Sequence, residues 1–157
     1  MQFGKPLTAL ALVFALGLGA PVMAQDAHDH GAHDAAVADL VLTEGAKWEG
    51  DQNMITGMEA LRATMAANLD AIHANTLAAD AAQDVSTEVM TQVEFMIENC
   101  ELEPAADEQF HLVLAQVMDG ALTLDEGEVE PGGLAIIEAL DAYGEHFEHP
   151  DWEPLTH

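Results

Sequence analysis

Apolar residues recur every third or fourth position along four stretches of similar length, and each stretch ends at residues a helix does not easily absorb. That punctuated period is the strongest constraint on the fold. The first stretch runs from Met54 to Thr76, with Met58, Leu61, Met65, Leu69 and Ile72 on one face. The second runs from Asp84 to Cys100 and aligns Val85, Val89, Val93, Met96, Ile97 and Cys100. Pro104 interrupts the chain, and Glu103 takes the extended geometry a following proline demands. The third runs from Ala106 to Leu124, with Phe110, Leu114, Val117, Ala121 and Leu124 in line and His111 and Met118 beside them. Glu130-Pro131-Gly132-Gly133 reads as a breaker. The fourth stretch spans Leu134 to His149, with Ile136, Ile137, Leu140, Tyr143 and Phe147 inward, and Pro150 stops it.

Four helices joined by three short links imply an all-α fold, an antiparallel up-down-up-down four-helix bundle. The low aromatic content of 5% and the Ala, Leu and Met bias agree with helices over sheet. No Gly-rich phosphate loop or nucleophile elbow appears, so the expectation is a protein that is not an enzyme.

The chain of 157 residues carries 29 Asp and Glu against 3 Lys and Arg, a formal charge of −26. Such a surface repels phosphate backbones and anionic lipid, which argues against nucleic acid and membrane partners. It suits metal ions, a basic periplasmic protein as partner, or a saline medium. Lys5, the apolar run Leu7 to Gly19 and Val22-Met23-Ala24 read as a signal peptide over 1–24, with periplasmic delivery the simplest address. Residues 25–47 read as a flexible, disordered His-rich arm, and 48–157 as the bundle.

Two groups of residues carry candidate metal chemistry. In the arm, His28, His30 and His33 stand beside Asp26, Asp29 and Asp34, a density of imidazole and carboxylate that binds Cu(II), Ni(II) or Zn(II) loosely. Trimming of Gln25 would place His28 third from a free amine, a Cu(II)-chelating arrangement. In the bundle, reflecting positions through the links brings Met58, Met65, Met96, Cys100, His111 and His146 toward one end. Thioether, thiolate and imidazole form the soft set that Cu(I) prefers. Cys100, the only cysteine, is buried as a small hydrophobe, ligated to metal, or paired with another chain. Glu145 and Glu148 share a face but lack the repeated Glu-x-x-His of a di-iron bundle.

Gly57 to Leu61, Asn68 to Ile72, Phe110 to Leu124 and Leu140-Asp141-Ala142-Tyr143 resemble the helices of the soluble periplasmic b-type cytochrome bundles. That resemblance implies haem held between an early Met and a late His. Met58 falls at the Met, but Gly144 falls at the His, and His146 is turned about 200° from it. His111 falls where that family has an apolar, haem-facing residue, and no Cys-x-x-Cys-His is present. Trp48, Gly57-Met58, the run Asn99 to Asp107, His111, Tyr143 and Phe147…Pro150-Asp151-Trp152 resemble the DnrO-like small secreted bacterial proteins more closely. This second resemblance implies a haem-free bundle and a link to respiration or denitrification.

The leading expectation is a periplasmic, non-enzymatic metal-binding protein for copper storage, delivery or buffering. Met58, Cys100 and His111 would form its inner site, with Met65, Met96 and His146 as helpers. The alternatives are a haem-binding electron carrier, with Met58 and either His111 or His146 as axial ligands, and an acidic interaction module.

Overall fold

The computed structural model describes Met1 and residues 33–155. The signal-peptide reading and the start of the His-rich arm, residues 25–32 with His28 and His30, lie outside the described residues. Those described are all-α: α1 (His33–Ala38), α2 (Gln52–His73), α3 (Ala79–Asn99), α4 (Pro104–Asp125) and α5 (Val129–His146). Among them the only extended pairings are two isolated bridges, Thr43 with Ala46 and Trp48 with Phe147. No described helix is long and apolar enough to cross a membrane.

The four long helices pack as a closed ring, α2 on α3, α3 on α4, α4 on α5 and α5 on α2. Neighbours in sequence meet end to start: Asn53 Nδ2 donates to Asn99 O at 2.7 Å, and Ser86 Oγ to Ala121 O at 2.7 Å. Met58, Leu61, Met65 and Ile72 are fully buried, as their period predicts, while Leu69 is only partly covered. Ile97 departs from expectation. It is 57% exposed, because its neighbour Met96 takes the inward position and the next residue is turned about 100° away.

Every helix boundary differs from the periodic reading, and the causes are local. The Asp51 carboxylate caps α2 by accepting from Met54 N at 2.8 Å, which starts the helix two residues early. The alanine-rich stretch extends α3 back to Ala79, where Ala82 is fully buried. Pro104 opens α4 rather than preceding it, since a first-turn residue needs no N–H.

The Glu130-Pro131-Gly132-Gly133 cluster does not break the chain; it lies inside the first turns of α5. Pro131 is tolerated there for the same reason as Pro104. The glycines serve close packing. A Cβ on Gly132 would come within 2.7 Å of Gly120 O and Leu124 N, and one on Gly120 within 2.8 Å of Gly132 O. α4 and α5 therefore touch backbone to backbone.

α5 ends at His146 instead of His149 because tertiary pairing draws the chain away. Trp48 N donates to His146 O at 2.8 Å, and Glu148 N donates to Trp48 O at 2.8 Å. The later part of the 25–47 arm takes part in the fold. His33 opens α1, which lies against α4, and Leu40 enters the core at 8% exposure. Val41 N donates to Gln109 Oε1 at 2.8 Å, and the Trp48 indole N–H donates to Val41 O at 2.6 Å. An apolar anchor and hydrogen bonds at both ends hold this strap, which periodicity alone could not show.

Candidate functional site

One end of the ring gathers the start of α2, the end of α3 and the start of α4. Asp51 is its knot. One carboxylate oxygen caps α2, and the other accepts from Glu101 N at 2.7 Å, just past α3. Burial works against the charge on Asp51. Hydrogen bonds from the backbone N–H groups of Glu101, Met54 and Asn53, and from the Cys100 thiol, nevertheless hold its carboxyl below the usual range. The same contacts act oppositely on the cysteine. Burial first, then the charge and hydrogen bond of Asp51 and the charge of Asp107, push the Cys100 thiol up to about 12. At neutral pH Cys100 is a protonated donor, half-buried at the margin of the core rather than deep within it.

Buried methionines follow along the core stripes of α2 and α3. Met54, Met58, Met65 and Met96 are all fully buried. Gly57 makes room for one of them: a Cβ there would come within 2.5 Å of the Met96 sulfur. Met96 thus lies over Gly57 of α2, one helical turn before Cys100.

His111 stands outside this group. Its side chain is 62% exposed, and Nδ1 donates to Asp107 O at 2.8 Å. His146 is half-buried and its Nδ1 donates to Ala142 O at 2.8 Å. Both bonds assign the proton to Nδ1, which leaves the Nε2 lone pair for a ligand. Among the described residues, no three His, Cys, Asp or Glu side chains gather in a way that could hold a metal ion. Of the residues singled out from sequence, the structure buries Met58, Met65 and Met96, leaves Cys100 half-buried beside Asp51, and turns His111 to solvent.

A second cluster was not legible in the sequence. His149 follows α5, yet its side chain is only 3% exposed. Its Nδ1 lies 2.9 Å from Tyr143 Oη, and its Nε2 lies 3.5 Å from Glu59 Oε1. Burial first, then the Cys100 thiolate once that group ionises and the Glu59 charge, push the Tyr143 phenol well above its ordinary range, so Tyr143 keeps its proton at neutral pH beside the His149 ring. The Trp152 ring packs edge-on to Tyr143 at 5.0 Å. Arg62 Nε donates to Glu153 O, closing a cleft of about 230 Å³ lined by Glu59, Arg62, His149, Asp151, Trp152 and Glu153. Pro150 signals the end of a helix, but nothing in a helical period says where the chain beyond it will fold back.

A Cβ on Gly144 would meet the Trp152 indole nitrogen at 2.4 Å, so the indole fills the space over Gly144. No family model, curated protein or solved structure matches the chain.

Proposed function

We propose that this chain is an exported, non-enzymatic metal-binding protein that holds copper as Cu(I) at the sulfur-bearing end of an antiparallel up-down-up-down four-helix bundle. The observation that carries the reading is the Met96 thioether lying over Gly57, the residue before the buried Met58, with Cys100 one turn further along α3. Thioethers and a thiol in one neighbourhood are a soft donor set, poor for Mg²⁺ or Ca²⁺ and good for Cu(I). Cys100 must lose its proton to ligate, so the ion competes with the proton and loading strengthens as pH rises. His111 and His146 offer Nε2 near the rim, and Met65 lies deeper on the stripe of α2. His28, His30 and His33 would make the first, looser capture. Periplasmic storage, delivery or buffering follows from such a site. The indole over Gly144 supports a haem-free reading, since it occupies the space a ligand at that position would need.

The test is an anaerobic Cu(I) titration of the mature chain against a competing chelator. Cys100→Ser is expected to lower affinity by about two orders of magnitude, and Met96→Leu by about one, with helicity retained in both. Unchanged affinity in both variants would remove the inner site.

A further inference from the structure

α3 and α4 do not close against each other along their whole length. The Ser86 hydroxyl reaches the Ala121 carbonyl, but beside it an open groove of about 750 Å³ runs between the helices. Val93, 1% exposed, forms its floor. Its apolar walls are Met90 and Met118, both half-buried, with Ile97 and Leu122. Ile97 and Leu122 are 57% and 55% exposed, an uncommon state for large aliphatic side chains on a folded domain, and they line the same groove. Glu94, Glu98 and Asp125 stand along its rim.

We propose that this groove binds a basic amphipathic helix of a partner protein. The charge argues for that occupant. α3 and α4 carry nine Asp and Glu between them and no Lys or Arg. An apolar helix face flanked by Lys or Arg would bury Ile97 and Leu122 while its cations meet Glu94, Glu98 and Asp125. The chain's own candidates have the wrong sign. Residues 25–34 contain Asp26, Asp29 and Asp34 with no Lys or Arg, and a second copy brings the same excess of carboxylates. The groove's length fits as well. Ser86 to Glu98 spans about 18 Å along α3, room for about three turns of a docked helix. Methionine walls suit this role, because unbranched thioether side chains adjust to the shape of an incoming apolar face.

The experiment uses the mature chain and a fluorescent Leu/Lys peptide of about fourteen residues, its Leu spaced at i, i+3, i+4 and i+7. Anisotropy at physiological salt is compared with a scrambled peptide of identical composition and with a Glu-for-Lys version. The amphipathic cationic peptide is expected to bind at least about tenfold tighter than either control. The paired change Ile97→Gln and Leu122→Gln is expected to lower its affinity by about tenfold or more. Both side chains are largely exposed, so circular dichroism should be unchanged. Equal binding of the scrambled peptide, or unaltered affinity in the variant, overturns the proposal. A dimer in sedimentation equilibrium that Ile97→Gln dissolves would make a second copy the occupant, and the proposal falls. It falls equally if removing residues 25–32 raises peptide affinity by about tenfold, which would identify that segment as the occupant.

Discussion

The two flanks of α4 are built on opposite terms. Toward α5 the helix presents Gly120, and the backbones meet so closely that a single added Cβ collides with a carbonyl oxygen. Toward α3 it presents Ala121 to a serine hydroxyl, then Met118 and Leu122 to an open groove. Close backbone approach leaves no room for a side chain and no freedom to adjust. Long flexible side chains around a groove leave both. One helix thus meets α5 backbone to backbone along one flank and leaves part of the other, at Met118 and Leu122, open.

The largest effect should come from the closed flank. Gly132→Val places its Cβ 2.7 Å from Gly120 O and Leu124 N, which are backbone atoms that cannot rotate away. A loss of about 3 kcal/mol or more is expected in urea unfolding. If Gly132→Val unfolds at the wild-type midpoint, the contrast between the two flanks is gone.

The knot at Asp51 should rank next. Asp51→Ala removes the cap of α2 and leaves the Glu101 N–H without its acceptor, at a cost of about 2 kcal/mol. Its pH dependence has a definite sign. The folded-state carboxyl is held below its ordinary value, so its contribution is present above the unfolded pKa and lost as pH falls through the folded one. The stability gap between wild type and Asp51→Asn should therefore be constant near neutrality and shrink below about pH 4. A gap that widens with acid would mean the carboxyl is not stabilised as an anion.

Cys100 reports on the same knot without unfolding anything. A thiol pushed from 9.0 to about 12 should react with iodoacetamide at pH 8 two to three orders of magnitude more slowly than an ordinary cysteine. Asp51→Asn removes the nearby charge and should speed the reaction. Alkylation of the wild type at the ordinary rate would show that Cys100 is not held as a donor.

The open flank should give the smallest change in stability. Ile97→Gln or Leu122→Gln is expected to shift unfolding by no more than about 0.5 kcal/mol, because both side chains are largely in solvent already. A larger loss from either would place the groove among the fold's structural contacts and not its free surfaces.

Much of this was legible one helix at a time. The stripe of α2 reads directly, since Met58, Leu61, Met65 and Ile72 recur at helical spacing and all are buried. The gathering of Met58, Met96 and Cys100 at one end follows from short links and a rise of about 1.5 Å per residue. His111 shows the limit. It sits at the right level of the bundle, but level does not determine rotation, and its ring lies in solvent with Nδ1 tied to its own helix. His149 shows a stronger limit, because it lies past the last periodic residue and is buried by a chain reversal.

The sequence by itself determined the all-α class, the number of long helices, most of the core and the acidic net charge. These depend on local period and composition, which act over a few residues. Only the tertiary structure decided that Gly132 is a contact and not a break, that α1 and Leu40 strap the end, and that the Trp152 indole lies over Gly144. It also decided that Ile97 and Leu122 face the same groove. Each of these depends on which element arrives opposite a residue. A helical period places a side chain on a face, and the partner's backbone decides whether that face is filled, capped or left open.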